Sequence, residues 1–472
     1  MSQGNYFDLF LSRKYDETIV VDERMRQWTY AELTKYALFA KEYFIKNKIK
    51  IVMITLPQGF YAYSVIWGAY LAGITFCPVT IGVPDERMKY YENELRPDLK
   101  ITPDNAETFF SNPDSSYEFL NRNEIVPAET AYIIFTSGST GQPKGVKIPR
   151  EGLHNFLNWS TVEYGIGKDD IWGQYSNIGF DLSLCDIFTA VICGAKLVPF
   201  ESKGEKLMPG LLIKNKKITF WHSTPSVIDM LQQANHLTQK NLQDMKAMSF
   251  CGEKLYPSQL ELLFQAKPDL VVYNTYGPTE GTIFCTYICL TKETYRDQCE
   301  KTVSIGAVIP GYGMIVNQEK DGLGEIVITG SNIGIGYLNR DNNAPGSPYR
   351  LTQIGTQLLN TYHTGDYAYY INNKIFVFGR KDSQGKIMGN RVDLSELDLQ
   401  LRNFGCSSAH SVFNNKKIVS FIVIESFSEK AIRDFLSRYL PSYYLPHKII
   451  QRENMPYNAS GKIDSIQLIQ SI

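Results

Sequence analysis

TSGSTGQPKGV, at residues 136–146, gathers hydroxyls, glycines and one lysine directly after the apolar run AYIIF at 131–135. A strand that runs into such a loop is typical of a phosphate site, because glycines let backbone amides approach the anion while hydroxyls and a lysine add donors and charge. Serine, glycine and proline also favour turns, so composition alone leaves a solvated, flexible loop equally open. Lys144 follows a proline six residues after Gly138, which excludes the GxxxxGK[ST] loop of common nucleotidases.

The chain around this loop alternates short apolar runs with helix-like stretches. IKIVMITL (49–56) and ITFCPV (74–79) flank the helix-like YAYSVIWGAYLAG (61–73), and similar apolar runs follow at 195–200, 218–223, 246–252 and 269–277. This rhythm predicts a parallel sheet with covering helices. From about residue 322 the pattern is strand-rich, and a polar stretch then precedes a last unit of about 90 residues. We therefore place a domain boundary at Lys381–Asp382.

Composition sets bounds on the class of protein. The chain has 472 residues, of which 43% are hydrophobic and 21% charged, and its formal net charge is −1. These values indicate a soluble globular protein with at least two domains and argue against nucleic acid or a membrane as partner. We find no signal-peptide core, no apolar run of about 18 residues and no CxxC among eight cysteines, so we expect reduced thiols and a cytoplasmic location.

A second motif, NTYGPTEGT at 274–282, also follows a predicted strand. Tyr276 could stack on a base, Thr279 could bond a phosphate, and Glu280 could hold magnesium, which prefers oxygen ligands.

Three shorter motifs come later in the chain: YHTGD (362–366), GRKD (379–382) and NASGKID (458–464). Asp366 could accept hydrogen bonds from ribose hydroxyls, Arg380 could reach ribose or phosphate, and Lys462 follows a glycine turn. Each motif alone is a weak signal, since a single lysine in a loop is usually a surface residue and a single TGD is usually a turn.

The order of the five motifs resembles that of the adenylate-forming superfamily, which includes acyl-CoA ligases, luciferases and nonribosomal-peptide adenylation domains. The resemblance runs from about Thr29 (TYAEL) to Asp464. It implies an α/β fold: a large N-terminal domain of mixed and parallel sheets with covering helices (1–381), and a small mobile α+β C-terminal domain (382–472). It also implies a two-step reaction with ATP and Mg²⁺. A carboxylate attacks the α-phosphate to give an acyl-adenylate and pyrophosphate, and a thiol then takes the acyl group.

The resemblance assigns roles to single residues. It gives catalytic roles to Thr136, Lys144, Glu280, Arg380 and Lys462, with Glu280 as the metal ligand. It gives ATP or AMP binding to Ser137, Gly138, Ser139, Thr140, Asn274, Thr275, Tyr276, Thr279, Asp366 and Arg380. Lys462 would bridge the substrate carboxylate and the α-phosphate, where developing charge needs stabilisation. Asp382 would be the hinge, and Gly389 would line the route of the pantetheine thiol.

FDLSLCD, at 180–186, bears on which carboxylate is activated. In the amino-acid branch of the superfamily, an aspartate after this phenylalanine pairs with the substrate α-amine, and Asp181 matches it. A carboxylate in a largely apolar pocket is costly unless it meets a cation, so a fatty-acid ligase would not favour it. A solvent-facing or capping aspartate is the alternative.

Within that branch, FWHSTPS (220–226) and SFCGEKL (249–255) resemble D-alanine–carrier-protein ligases. There a cysteine at the CGE position favours the D-enantiomer, and Cys251 matches it, although it could also be a small core residue. The resemblance places these residues around the amino-acid pocket: Asp181, Leu182, Cys185, His222, Ser249, Cys251, Thr275, Gly277, Ile283 and Phe284.

Several pocket residues depart from the D-alanine pattern. His222 and Ser249 are more polar than expected, and Cys185 and Phe284 also differ. His222 could bond a serine hydroxyl or could be a structural histidine, and both interpretations stay open. Near the expected hinge, Gly385, Asp393 and Ser395 also differ from the family pattern.

The expected function is ATP-dependent activation of a small amino acid, D-alanine-like, and its transfer to the phosphopantetheine thiol of a separate carrier protein. The chain has no carrier signature, so we expect a free-standing monomer. The alternatives are a stand-alone nonribosomal-peptide-type enzyme for serine, L-alanine, glycine or proline, an acyl- or aryl-CoA ligase, and an inactive adenylate-binding module. Intact Lys144, Glu280, Asp366, Arg380 and Lys462 argue against the last.

Overall fold

The computed structural model describes residues 3–472 except 112–126, 138–141, 319–321, 343, 345, 355–356, 381–383, 388, 415–416 and 457–462. The chain divides into two compact units. The first comprises Met1–Ile81, Arg96–Ile134 and Val146–Gly379, and the second comprises Gly82–Leu95, Phe135–Gly145 and Arg380–Ile472. The predicted boundary at Lys381–Asp382 lies outside the described residues and stays a prediction.

The strands are β1 (Ile19–Asp22), β2 (Gln27–Thr29), β3 (Ile51–Ile54), β4 (Thr75–Pro78), β5 (Leu99–Ile101), β6 (Thr130–Thr136), β7 (Lys144–Pro149), β8 (Ile171–Gln174), β9 (Lys196–Pro199), β10 (Phe220–Ser223), β11 (Ala247–Phe250), β12 (Val271–Tyr276), β13 (Thr286–Leu290), β14 (Ala307–Val308), β15 (Tyr312–Gln318), β16 (Leu323–Gly330), β17 (Tyr349–Ile354), β18 (Gln357–Ile371), β19 (Lys374–Arg380), β20 (Gln384–Ile387), β21 (Asn390–Asp393), β22 (Ser408–Asn414), β23 (Lys417–Val423) and β24 (Lys448–Gln451). The helices are α1 (Gln3–Ser12), α2 (Tyr30–Lys46), α3 (Phe60–Leu71), α4 (Asp85–Leu95), α5 (Pro103–Phe109), α6 (Arg150–Glu163), α7 (Leu182–Cys193), α8 (Lys203–Leu207), α9 (Pro209–Asn215), α10 (Ser226–Gln233), α11 (Pro257–Ala266), α12 (Leu394–Phe404), α13 (Glu429–Tyr439) and α14 (Ser465–Gln470).

The largest sheet of the first unit has the order β14-β13-β12-β11-β10-β8-β9-β1-β2. The strands from β12 to β1 in this order are parallel, and the outer strands are antiparallel. The central strands are short and almost wholly buried, which explains their continuous apolar runs in the sequence. The predicted α/β class is confirmed.

The two faces of this sheet are packed into different cores. Along β10, Phe220 and His222 point to one face and Trp221 points to the other, because successive side chains of a strand alternate. Phe220 belongs to the core that includes α3, α6 and α7, whereas Trp221 packs with Met248 and Phe250 against α10 and α11.

Two further sheets involve the rest of this region. One has the order β5-β3-β4-β6-β7, with β3 parallel to both β4 and β5. The other is antiparallel, with the order β15-β16-β18-β17 and with β19 paired to β18, and it accounts for the strand-rich pattern after residue 322.

The second unit has a hairpin of β20 and β21 and a sheet of β22, β23 and β24. Helix α4 belongs to this unit, where Arg87 forms a buried ion pair with Glu396 of α12. Tyr444 donates to the second oxygen of Glu396 at 2.7 Å, and Arg87 Nε donates to Tyr91 at 2.7 Å. These bonds satisfy both buried charges, which a low-polarity interior requires.

No helix in the described part of the chain is long and apolar enough to cross a bilayer.

Candidate active site

The predicted pocket residues of β10 and β11 lie near the carboxyl ends of the central parallel strands. His222 pairs in register with Ser249, and Ser249 pairs with Tyr273 of β12. Because parallel strands in register present equivalent side chains to the same face, these three residues share one surface. Cys251 follows β11 directly, and its backbone N–H donates to the Ser223 carbonyl at 3.1 Å. Ligands of open α/β sheets generally bind at this edge.

His222 is held by hydrogen bonds at both ring nitrogens. Its Nδ1 lies 2.8 Å from Asp186 Oδ1, and its Nε2 lies 3.2 Å from the Tyr164 hydroxyl. Trp172 Nε1 donates to the same Asp186 oxygen at 2.9 Å, so we assign the Nδ1 proton as a donor to Asp186 and the Tyr164 hydroxyl as a donor to Nε2. His222 and Asp186 are both fully buried. His222 is therefore a satisfied buried histidine.

Burial sets the titration behaviour around this histidine. Burial raises the pKa of Asp186, and the hydrogen bond from His222 opposes that rise. Burial likewise raises the pKa of Tyr164 far above its usual range, and the nearby Cys185 thiol adds to the rise. Tyr164 thus stays protonated at neutral pH and remains available as a donor to His222.

Helix α7 presents the predicted amine-binding residue. Asp181 is the N-cap position of α7, Leu182 is the first helical residue, and Cys185 lies one turn further on the face of Asp181. Asp181 is 9% exposed and Cys185 is fully buried. The charge of Asp181 contributes, after burial itself, to the raised pKa values of Tyr132 and Tyr312, so these tyrosines lie near the carboxylate.

The segment after Gly277 folds back tightly on β12. A Cβ at Gly277 would lie 2.3 Å from Phe284 Cα and 2.7 Å from the Cys285 nitrogen, so only glycine fits there. Thr282 and Ile283 have φ of 56° and 71°, values that β-branched residues rarely adopt. Tyr312 and Asn332 brace this strained turn: the Tyr312 hydroxyl donates to the Gly281 carbonyl, and the Thr282 hydroxyl donates to the Asn332 carbonyl.

The strained turn places Ile283 and Phe284 in the interior. Ile283 is 3% exposed and Phe284 is fully buried. The Phe284 ring lies 4.9 Å from Phe156 and 6.3 Å from His222, measured between centroids. Both side chains therefore belong to the packed core of the first unit.

The predicted nucleotide residues of the first unit also come together. The Tyr276 hydroxyl donates to Asp366 Oδ2 at 2.7 Å, although the two residues are 90 positions apart. Asn274 Nδ2 donates to the Ser304 carbonyl at 2.8 Å, and the Thr275 hydroxyl donates to the Phe250 carbonyl at 3.0 Å. Thr279 is half-buried and begins a short helical turn that contains Glu280.

Glu280, the predicted metal ligand, is fully buried and accepts a hydrogen bond from the Tyr337 hydroxyl at 2.8 Å. Sequence reasoning missed Tyr337, which is 57 positions away and carries no local signal. Among the described residues no group of three or more histidine, cysteine or acidic side chains could hold a metal. One carboxylate fits Mg²⁺ nonetheless, because this ion is usually bound through one or two carboxylates together with substrate phosphates.

Comparison with known proteins decides the family. Residues 7–338 match the family model described as AMP-binding enzyme. The chain belongs to this family of AMP-binding enzymes. The predicted superfamily is confirmed, and so is the enzyme class, an adenylate-forming ligase.

Curated relatives of this AMP-binding enzyme include D-alanine–D-alanyl carrier protein ligases. The protein of that name from Staphylococcus epidermidis is 30% identical over 436 residues, which cover 86% of each chain. That from Staphylococcus aureus is 30% identical over 437 residues, again covering 86% of each.

Solved structures share the fold of this AMP-binding enzyme. The Vibrio cholerae adenylation domain AlmE, in complex with glycyl-adenosine-5'-phosphate, has a TM-score of 0.85 and 24% identity, covering 100% of this chain and 98% of that one. Holo-PA1221, an NRPS protein with adenylation and PCP domains, has a TM-score of 0.83 and 21% identity, covering 100% and 84%. At these identities the likeness shows the fold.

The second unit carries other predicted residues. Thr136 and Ser137 are buried, and their hydroxyls have no hydrogen-bond partner among the described residues. Lys144 begins β7, Arg380 ends β19, and Gly389 lies in the turn between β20 and β21 with a φ of 80°. The predicted residues Gly138, Ser139, Thr140, Asp382 and Lys462 lie outside the described residues.

Proposed function

We propose that this AMP-binding enzyme activates a small amino acid, D-alanine foremost, as the aminoacyl-adenylate and passes it to the phosphopantetheine thiol of a separate carrier protein. The observation that carries this proposal is Asp181, a nearly buried carboxylate at the start of α7, near the buried tyrosines Tyr132 and Tyr312. A carboxylate with so little exposure needs a cation or strong donors. A substrate α-ammonium would place a positive charge beside this carboxylate, whereas a fatty acid would not.

The burial of the predicted pocket residues supports a small substrate side chain. Cys185, His222, Ser249 and Phe284 have no exposed surface, and Cys251 is 6% exposed. A longer substrate side chain would have to displace packed aromatic and sulfur-bearing groups, which is costly in a dense interior. Glycine and alanine therefore fit better than larger amino acids.

His222 bears on serine as an alternative substrate. Both its ring nitrogens are already hydrogen-bonded, Nδ1 to Asp186 and Nε2 to Tyr164. A serine hydroxyl would have to replace one of these buried bonds, at a cost comparable to what it gained. The geometry thus favours glycine or alanine over serine.

The nucleotide side of the reaction follows from family membership and from local chemistry. Asp366 and Tyr276 would contact the ribose and base, and Thr136 and Ser137 offer buried hydroxyls for phosphate oxygens. Glu280 would hold Mg²⁺, which neutralises phosphate charge when it is bound. Lys144 and Lys462 would stabilise the negative charge that develops on the phosphates and at the α-phosphate respectively.

The identity of the acceptor is proposed from the relatives. The staphylococcal proteins are named for a D-alanyl carrier protein, and the bound ligand of AlmE is a glycyl-adenylate. Both names concern the smallest amino acids, in agreement with the tight packing around the predicted pocket residues. A carrier thiol would attack the adenylate carbonyl and release AMP.

Amino-acid-dependent pyrophosphate exchange tests the proposal. The assay is run with every L- and D-amino acid, using wild type and Lys462→Ala. We expect one strong signal, with D-alanine, that the variant loses. A signal with glycine or L-alanine would keep the mechanism and change the substrate, whereas a signal with L-serine would contradict the assignment of His222. Silence with all amino acids, together with CoA-dependent activation of a carboxylic acid, would overturn the proposal.

A further inference from the structure

Lys206, on the short helix α8, is a half-buried cation whose ammonium is held by neutral amide groups. Its Nζ donates to Gln58 Oε1 at 2.7 Å and to Asn177 Oδ1, and it lies 6.0 Å from the centre of the Tyr175 ring. Burial lowers the pKa of Lys206 to about 8. Withdrawing an ammonium from water is costly unless hydrogen bonds compensate, and here the amide oxygens of Gln58 and Asn177 supply them.

The contacts of Lys206 centre on the segment at 174–177, which precedes the predicted amine-binding residue Asp181. The Tyr175 hydroxyl donates to the backbone carbonyl of Lys206 at 2.9 Å, so Lys206 contacts this segment through both its side chain and its backbone. Gln58, the other acceptor of the ammonium, donates through Nε2 to the Gln174 carbonyl at 3.0 Å. The Tyr63 hydroxyl donates to Gln174 Oε1 at 3.0 Å.

Asn177 connects this tethered segment to Asp181. The Phe180 N–H donates to the Asn177 carbonyl at 3.0 Å, which closes a turn directly before α7. The Leu184 N–H then donates to the Asp181 carbonyl at 2.9 Å, so the first turn of the helix starts at the predicted amine-binding residue. Gly179 packs against Thr80, where a Cβ would lie 2.6 Å from the Thr80 nitrogen. A shift of Asn177 would therefore displace Asp181, because only one turn of chain separates the two residues.

We propose that Lys206 is a positioning residue for Asp181: its ammonium holds the Asn177 turn, which fixes the start of α7 and the carboxylate that meets the substrate amine. This inference rests on the proposed function. Charge-assisted hydrogen bonds are about twice as strong as neutral ones, so a lysine holds two amide oxygens more firmly than a neutral side chain would.

The test compares Lys206→Met with Lys203→Met, a control on the same helix whose side chain is exposed. In pyrophosphate exchange, we expect the first variant to raise KM for the amino acid about tenfold, since it removes charge-assisted bonds. KM for ATP should change less than about twofold, a split that a general loss of stability would not produce. The control should match wild type in both constants.

Asn177→Ala removes the acceptor of the Lys206 hydrogen bond. It therefore tests the same interaction even if the lysine variant misfolds. We expect the double variant to be no worse than the poorer single variant, because both remove one interaction. Additive losses, or equal changes in KM for ATP and for the amino acid, would overturn the proposal.

Hydrogen–deuterium exchange of the full-length, ligand-free protein separates this inference from the proposed function. Amides at 176–184 should exchange faster in Lys206→Met than in wild type or Lys203→Met, whichever substrate the enzyme uses. Unchanged exchange there would overturn the tether even if an amino acid is activated. If exchange is faster in Lys206→Met but the wild-type enzyme activates no amino acid, the positioning of the Asn177 turn by Lys206 would stand. The proposed function, and with it the role of Asp181, would be overturned.

Discussion

His222 Nδ1 lies 2.8 Å from Asp186 Oδ1, and neither side chain has any exposed surface. Trp172 donates to the same oxygen, and Tyr164 occupies the other ring nitrogen. One member of this buried network, His222, is among the residues predicted to surround the amino-acid substrate. The polar groups of this network hydrogen-bond to one another, so under the proposed function they would contribute packing, and Asp181 would recognise the substrate.

Replacing Asp186 tests whether this network supports the fold. Asp186→Ala leaves two buried N–H donors, on His222 and Trp172, without their acceptor, and should lower the free energy of unfolding by about 3–5 kcal/mol. Asp186→Asn retains an oxygen acceptor and should lose less than about half of that. Urea denaturation followed by tryptophan fluorescence measures both, with Asp169→Ala, at an exposed position, as the control. Equal losses in the two Asp186 variants would contradict the assignment.

Tyr337 should tune the metal affinity of Glu280. Tyr337→Phe removes the 2.8 Å hydrogen bond to the carboxylate and should raise the Mg²⁺ concentration needed for half-maximal pyrophosphate exchange about tenfold, as loss of an outer-shell hydrogen bond commonly does. Tyr370→Phe is the control, since Tyr370 is an exposed tyrosine that bonds to Asn373. An unchanged Mg²⁺ dependence would show that the Tyr337–Glu280 bond does not serve the metal.

Gly277 should tolerate no side chain. In Gly277→Ala the new Cβ would lie 2.3 Å from Phe284 Cα. Because the contacted atoms belong to the backbone, a side-chain rotation cannot relieve the clash, and the strained turn itself must shift. We expect a loss of about 3 kcal/mol in stability, at the upper end for overpacking, together with loss of exchange activity. Gly167→Ala, where a Cβ meets open space, should match wild type. Retention of stability and activity by Gly277→Ala would contradict the described turn.

Asp398 of the second unit should give a pH-dependent stability. Burial raises the pKa of Asp398 to about 6, opposed by Ser411 and Arg402 and reinforced by Asp393, and His410 Nδ1 lies 4.0 Å away. Because the folded pKa is above the unfolded one, this carboxyl stabilises the fold below about pH 4, and the contribution is lost as pH rises to about 6.

Asp398→Asn cannot titrate, so its unfolding free energy relative to wild type should increase between about pH 4 and pH 6. Asp434→Asn, at an exposed position of α13, is the control. Thermal denaturation at a series of pH values measures the difference. A constant gap between wild type and Asp398→Asn would contradict the raised pKa.

The sequence predicted the fold class because buried parallel strands leave continuous apolar runs such as IKIVMITL and KAMSF. It predicted candidate site residues because the motifs are local: each places its polar residues within a few positions of a strand end. Tyr276 and Asp366 were both named, and the structure adds that they bond to each other.

Residues that act through long-range contacts left no such pattern. Tyr337 is 57 positions from Glu280, and Arg87 is 309 positions from Glu396. Lys206 stands in KGEKL as one of two lysines, and only the three-dimensional arrangement distinguishes it from its exposed neighbour Lys203. The positive φ values of Thr282 and Ile283 are likewise set by tertiary bracing rather than by local propensity.

The most direct test of amine recognition by Asp181 compares an amino acid with its desamino analogue. Pyrophosphate exchange is measured with D-alanine and with propionate, using wild type and Asp181→Asn. We expect exchange by wild type with D-alanine alone, and a loss of at least about a hundredfold in kcat/KM in the variant, because the ammonium loses its charged partner. Exchange by wild type with propionate at a comparable rate, or an Asp181→Asn variant as active as wild type, would contradict the claim that this enzyme recognises an amino acid through Asp181.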